Sequence, residues 1–564
     1  MRNNNGTGDI GSGKKRMTSC NWMYRGSKFA LVRKDADLSQ VFYCMNGGKL
    51  MNVRYSTTLS GEKLTDIRHS LQWDFIDWKK VEWNVNKLQT RIAKAVRQRK
   101  WHLIKRLQYL LTKSFHARLL AVKKVTQNRG KKTAGIDGEK WTTPLSRTKA
   151  ALSLSCKNYK AKPMRRIYIE KYGKKEKRPL SIPTMHDRAM QALHALALDP
   201  IAETNADRAS FGFRQNRSAH DACELLFSCL CRKQSAHWVL EGDIKGCFDN
   251  INHDWLLTNI PMDKSILKQF LKAGFIYHRH LNPTKVGTPQ GGIISPILAN
   301  MTLDGIENTI AAKYHTTKTG IVAKSRHNPH KVNFVRYADD FVVTADSEEV
   351  AKDIAKLISA FLKKKGLELS TEKTLVSHID EGFDFLGWNF RKYKEKLIIK
   401  PSKKSIEKIT TNISDVIKNG KAWSQESLIR KLKPIISGWT GYHQSVVSKD
   451  TFSKLDYKLW NMLWSWAKRR HPHKSHRWIA NRYWHHVGSR KWVFSVNDYK
   501  LRRFSDTKII RHPCVKLDMN HYLDREYFKW RRSYLKTRKN GNYTNKPNYS
   551  GLTGTWKKIV SQMY

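Results

Sequence analysis

The chain has 564 residues, with 106 Lys+Arg against 47 Asp+Glu and a formal net charge of +59. That length implies several domains, and a hydrophobic content of 40% excludes a wholly disordered basic tail. So large a positive excess points to a polyanionic partner, nucleic acid ahead of an anionic membrane surface, because basic residues run along the chain interleaved with aromatics. No apolar run reaches the length of a transmembrane helix, so no membrane partner is expected. Eight scattered cysteines follow no secretory signal, so reduced thiols in a cytoplasmic protein are expected. Cys229-Leu-Cys231 is a weak metal signal, outweighed by a plain helical or loop reading.

Residues 1–20, rich in Asn, Gly, Ser and Lys, are expected to be disordered, and 21–72 show no clear period. Val81, Val85, Leu88, Ile92 and Val96 then share one helical face, and Trp101, Ile104, Leu107 and Leu111 another. Arg165–Ile169 and Leu180–Pro183 read as strands around a basic loop, and Asp187–Leu198 as a helix. Trp238–Ile244 is a strand ending near Asp243. Val332–Arg336 and Phe341–Thr344 flank Tyr337-Ala338-Asp339-Asp340, which predicts a tight hairpin with acids at its turn. A helix follows at Val350–Leu362. After about residue 400 strands fade and Trp-rich basic helices take over, with Leu455, Leu459, Met462, Leu463 and Trp466 on one face. Beyond Glu526 there is no acid at all, so the tail is either an arm for phosphates or a disordered basic end.

Adjacent aspartates repel each other, so Asp339-Asp340 gains sense if a divalent cation screens the pair. Hard oxygen ligands suit Mg²⁺. Three further elements accompany it in order. They are Glu241-Gly242-Asp243-Ile244 with Phe248 five residues after Asp243, the loop Gly287-Thr288-Pro289-Gln290-Gly291-Gly292, and Leu367–Thr374 followed by Phe385-Leu386-Gly387. This ordered set resembles the palm of a reverse transcriptase, and most closely the group II intron-encoded reverse transcriptase/maturase family. The resemblance extends to Arg165–Ile169, Lys177–Thr184 and Ser210-Phe211-Gly212-Phe213-Arg214, and covers about 77–530.

The resemblance implies an α+β right-hand polymerase. Fingers and a palm with a ferredoxin-like antiparallel sheet would span 73–395, behind an extension at 1–72. An α-helical thumb, or maturase domain X, would span 396–490, and a basic DNA-binding segment 491–564. Two Mg²⁺ ions would be held by Asp243 and Asp339, with Asp340 and the Ile244 carbonyl in support. Lys171, Arg178, Phe248, Gln290 and Lys373 occupy the family's dNTP positions, Phe248 excluding a ribose 2′-hydroxyl and Lys373 serving as a possible general acid. Arg469, Arg470 and Lys474 would bind intron RNA, and Arg531, Arg532, Lys536, Arg538 and Lys539 target DNA. The histidines around 471–486 lack cysteine or acid partners at metal spacing, which favours RNA contact or plain surface. Many relatives end in an endonuclease domain, and none is expected here, so primers would come from elsewhere. The expected function is RNA-directed DNA synthesis with promotion of splicing and retrohoming. The alternatives are a catalytically idle RNA-binding splicing factor, or a domesticated reverse transcriptase in phage defence or CRISPR adaptation.

Overall fold

The structure, a computed structural model, describes the backbone of four strands before residue 54, and residues 73–170, 177–323 and 327–539. Residues 1–71 and 72–564 form two separate units. In the first, β1 (Asn21–Tyr24), β2 (Ser27–Leu31), β3 (Phe42–Asn46) and β4 (Lys49–Val53) make an antiparallel meander in chain order. The disorder expected for 1–20 falls outside the described residues.

The second unit begins with α1 (Trp78–Arg97), capped by the Asp77 carboxylate, which accepts from the Lys79 and Lys80 amides. Its Val81, Val85, Ile92 and Val96 are buried, and Lys94 and Arg97 face the negative helix end. In α2 (Trp101–Lys113), Ile104, Leu107 and Leu111 are buried, but Trp101, expected on the same face, is exposed at the first turn. α3 (Phe115–Gln127) and α4 (Pro144–Ser153) follow. β5 (Met164–Glu170) and β6 (Lys177–Ile182) pair as a hairpin whose tip, with Lys171, lies outside the described residues. α5 (Met185–Asn205) is buried along almost its whole length because α1, α2 and α3 all pack on it. α6 (Ala219–Leu230) then leads to β7 (Trp238–Gly242).

Short helices α7 (Cys247–Asn250), α8 (His253–Asn259) and α9 (Lys264–Lys272) precede β8 (Phe275–Tyr277) and β9 (His280–Asn282), which extend the β5–β6 hairpin into a sheet of order β6-β5-β8-β9. α10 (Ser295–Leu303) and α11 (Ile306–Tyr314) bring the chain to β10 (Asn333–Tyr337), β11 (Asp340–Ala345), α12 (Glu348–Lys363) and β12 (Leu375–His378). The central sheet has the order β10-β11-β7-β12, antiparallel throughout, which is the βαββαβ order of a ferredoxin-like sheet. Side-chain alternation divides its two faces. Leu240, Phe341 and Val343 join the core with Ile354, Ile358 and Leu362 of α12. Val239, Val335 and Val342 join a second core.

That second core contains β13 (Phe383–Phe385), β14 (Trp388–Tyr393) and β15 (Lys396–Pro401), a sheet the sequence reading missed. A third core is helical, built by α13 (Lys403–Asn419), α14 (Gln425–His443), α15 (Lys449–Arg470) and α16 (His476–Tyr483). Strands do not fade here as expected: β16 (Trp484–Val487), β17 (Arg490–Val496) and β18 (Tyr499–Lys500) add a small sheet, and Trp484, Phe494 and Phe504 complete the helical core. The boundary expected at 490/491 therefore falls inside β17. The chain then returns to the second core, where Val515 and Tyr527, Phe528 and Trp530 of α17 (Arg525–Lys539) pack. Among the described residues no helix is long and apolar enough to cross a membrane.

This return overturns one expectation. Arg531, anticipated on DNA, is buried and pairs with Asp221 at 2.5 Å, while donating to the Pro513 carbonyl at 2.9 Å. Asp221 also accepts from the Ser218 and Val515 amides at the start of α6. Burial pushes the Asp221 carboxyl up, but the His512 hydrogen bond and the Arg531 guanidinium outweigh it and hold it below the usual range. A buried carboxylate needs such a partner, and the sequence separation of 310 residues concealed it. Arg532 and Lys536 are exposed, Arg538 lies 5.5 Å over the Tyr534 ring, and the Lys539 side chain is outside the described set. Removing one partner of a buried ion pair costs about 3–5 kcal/mol. Arg531→Ala should therefore lower unfolding free energy by about 3 kcal/mol in urea titrations, while Arg532→Ala should change it by less than about 0.5 kcal/mol.

Candidate active site

Strand register brings the three acids into one neighbourhood. β7 pairs with β11 so that Gly242 faces Phe341, which sets Asp243, just past the end of β7, beside Asp340 at the start of β11. A side chain at 242 would put its Cβ 2.1 Å from the Phe341 ring, so this pairing needs glycine. Tyr337 pairs with Asp340, leaving Ala338 and Asp339 as a two-residue turn. Ala338 has φ +60 and Asp339 does not share a positive φ, the pattern of a type II′ hairpin turn made without glycine.

Four neighbours hold that strained turn. Arg336 is fully buried and donates to the Ala338 carbonyl at 3.2 Å, to Asn300 at 3.1 Å and to Asp304 at 2.6 Å. Asn300 in turn donates to the Gly212 carbonyl at 2.9 Å. The 210–213 loop runs beneath the turn, with the Phe211 amide on the Arg336 carbonyl at 2.9 Å. It passes so close that a Cβ on Gly212 would lie 2.3 Å from the Ala338 nitrogen. Arg214 clamps the loop, donating to the Asp207 and Ser210 carbonyls while its other nitrogens pair with both oxygens of Glu203 at 2.7 and 2.9 Å. Sequence reasoning took Ser210–Arg214 as a motif but missed Arg336, Asp304 and Glu203. An arginine inside a short, largely apolar strand was the available signal.

The acids repel one another. Partial desolvation, then the charges of Asp339 and Asp243, push Asp340 up to about 7. Burial and the Asp243 charge also raise Asp339. Lys373 answers this charge by an ion pair with Asp243, and that hydrogen bond raises its own pKa. It is brought there because residues 368–370 bridge Ile244, with the Lys245 amide on Glu368 at 3.0 Å and the Ser370 amide on Asp243 at 2.8 Å. In such a non-hydrogen-bonded pair, the N–H and carbonyl of Ile244 point away from residues 368–370. Among the described residues no three acid, His or Cys side chains converge tightly enough to form a ready-made metal cage. The donor chemistry nonetheless fits a hard divalent cation, since three neighbouring carboxylates share a negative charge that one ammonium only partly offsets.

The other expected residues surround this point. Arg178, exposed on β6, is near enough to lower the pKa of Asp339 electrostatically. Phe248, half-buried, meets the exposed Phe213 ring edge-on at 6.1 Å, and Phe213 itself has φ +62. Gln290 donates to Asp249 at 2.8 Å, and its carbonyl accepts from the Ser181 amide at 2.7 Å, which ties the glycine-rich loop to β6. Arg469, in the last turn of α15, and Lys474, just beyond it, are exposed, and Lys474 lies 5.5 Å over Trp478. Arg470 instead braces the helical core, donating to the Lys421 and Trp423 carbonyls at 2.8 and 3.0 Å. His471 is taken up by the Tyr483 hydroxyl at 2.8 Å.

Asp340 yields a pH test. Its folded pKa of about 7 exceeds the ordinary value of 3.8, so between these limits the folded state holds a proton that the unfolded state has lost. Its contribution to stability therefore falls as pH rises from about 4 to about 7. With chelator present, melting temperature should decline more from pH 5 to pH 8 in the wild type than in Asp340→Asn. Equal slopes would contradict the carboxylate crowding.

Comparison with known proteins places this geometry. The family model for reverse transcriptase (RNA-dependent DNA polymerase) matches residues 169–390. The model for the N-terminal domain of reverse transcriptase matches 73–154, and that for the group II intron maturase-specific domain 406–484. The group II intron-encoded protein LtrA of Lactococcus lactis subsp. cremoris is 30% identical over 363 residues, 54% of this chain and 59% of that protein. Protein YkfC of Escherichia coli K12 is 31% identical over 294 residues, 46% of this chain and 76% of that protein. An uncharacterized 91 kDa protein in the cob intron of Schizosaccharomyces pombe is 29% identical over 322 residues, 48% of this chain and 39% of that protein. With reverse transcriptase and maturase segments in one chain and carboxylates gathered at the end of the central sheet, the protein belongs to the group II intron-encoded reverse transcriptase/maturase family.

Proposed function

We propose that the chain is an RNA-directed DNA polymerase and a maturase that binds its intron RNA to promote splicing and retrohoming. The observation that carries this reading is the meeting of Asp243 with Asp339 and Asp340 across the β7–β11 register. In this reading the central sheet is the palm, the β5–β6 hairpin with its neighbouring helices the fingers, and α13–α16 the thumb. Residues 491–564 would contribute to DNA binding through exposed Arg532 and Lys536 with Arg538, whereas Arg531 serves the fold.

Asp243 and Asp339 would hold two Mg²⁺ ions, with Asp340 and the Ile244 carbonyl in support. When bound, the ions would supply charge neutralisation at the attacking 3′-hydroxyl and the leaving pyrophosphate. Arg178, with Lys171, would orient the incoming triphosphate, and a guanidinium fork suits its oxygens. The Phe248 ring, held by Phe213, would exclude a 2′-hydroxyl, and Gln290 would sit against the nucleotide and template. Lys373 would leave Asp243 as the cations enter and hold a proton at Nζ for the leaving group. Exposed Arg469 and Lys474 would meet RNA phosphates, while Arg470 stays with its carbonyl partners.

Primer extension on an RNA template with Mg²⁺ tests the proposal. Asp339→Ala should reduce extension by at least about a thousandfold, the order expected for loss of a main electrostatic contributor, while RNA affinity stays within about twofold. An Asp339→Ala enzyme that still extends primers would refute the assignment. Phe248→Ala should raise ribonucleotide incorporation relative to deoxynucleotide incorporation, read in competition assays. An unchanged ratio would leave Phe248 as packing alone.

A further inference from the structure

Between α15 and the β16–β18 sheet lies a cavity of about 270 Å³ that shares no residue with the carboxylate site. Its volume is near the lower end of ligand pockets, which run from about 300 to 1,000 Å³. Trp484 is buried within it, against Trp464 at 5.3 Å and Phe494 at 5.2 Å. Three other lining rings are exposed: Tyr457 at 69%, Trp460 at 37% and Trp492 at 54%. Trp460 stacks on Trp464 at 5.4 Å and is still more than a third exposed, while Tyr457 and Trp492 lie outside the helical core. Arg502 and Arg503 complete the wall. The lining acid, Asp456, is committed to the Phe504 and Ser505 amides at 2.7 and 3.0 Å. Arg503 is exposed and pairs with no carboxylate among the described residues.

The backbone adds an independent sign. The β16–β17 register slips between His485 and Val487, and within the slipped stretch Trp492 takes φ +63. A bulky L-residue rarely occupies that region, and bulges re-aim side chains beside functional sites. Here the strained residue is an exposed indole at a cavity mouth rather than a turn glycine.

Flat aromatic faces beside guanidinium groups suit an unstacked base with its flanking phosphates. We propose that this pocket takes one unpaired base of single-stranded RNA, stacked on Trp460 and Trp492, with Arg502 and Arg503 at the neighbouring phosphates. The inference rests on the maturase reading, since part of the cavity wall, Asp456 to Trp484, lies within the segment that matches the maturase-specific model. The arginines favour RNA over an apolar protein segment as the occupant.

The test uses the full chain and a single-stranded oligoribonucleotide carrying 2-aminopurine. Binding should quench the probe. Trp460→Ala and Trp492→Ala should each weaken affinity about tenfold and reduce the quench, and Trp492→Phe should restore most of both. A blunt RNA duplex should bind all variants alike. Primer extension on a preformed primer-template should stay at the wild-type level, which separates failure of this inference from failure of the polymerase reading. Unchanged affinity and quench in both alanine variants, or equal loss on the duplex, would overturn the pocket assignment. So would tight self-association of the wild type that is lost in both variants, because a second copy of the chain would then be the occupant.

Discussion

Like charges gathered in one place must be held there by something else. Here the holding is done largely by one buried guanidinium. Arg336 lies inside β10, satisfies the strained Ala338 carbonyl, and pairs with Asp304 and Asn300. Burial pushes the Asp304 carboxyl up and the Arg336 charge opposes it, so each makes the other's burial tolerable. Through Asn300 the same network reaches Gly212, and through the Arg214–Glu203 fork it reaches the end of α5. The position of the acids is thus over-determined by hydrogen bonds around them, none of which involves the three carboxylates.

The electrostatic design works on two scales. Over the whole chain the excess of 106 basic over 47 acidic residues favours approach of a polyanion. Locally, Asp243, Asp339 and Asp340 form a negative point that Lys373 partly offsets. A phosphate chain drawn by the broad field would be repelled at that point unless cations intervene.

Much of this site was legible in the chain order. β-prone runs flanking Tyr337–Asp340, a strand ending near Asp243, and an amphipathic helix after the hairpin point to the antiparallel sheet. Short strands with mixed neighbours were not legible. β13–β15 and β16–β18 lie among Trp and Lys residues whose burial depends on partners far along the chain. Arg531 shows the limit most sharply. Its neighbours Arg532 and Lys536 are exposed, and nothing local distinguishes it from them. Only the position of Asp221 does so, and that is a tertiary fact. In the same way, Arg470 and Arg469 are adjacent basic residues, yet one braces carbonyls and the other faces solvent.

The Asp221–Arg531 pair also bears on biosynthesis. The amino end of α6 is translated 310 residues before the guanidinium that neutralises it, and Tyr527, Phe528 and Trp530 belong to a core begun by Phe211 and Leu226. A nascent chain carries an unfinished hydrophobic surface and an unneutralised acid until α17 has left the ribosome. Such late closure slows assembly and leaves premature fragments prone to clumping or chaperone capture. Only chains translated past α17 can therefore complete the second core, so a message cut short before that point cannot yield the finished fold.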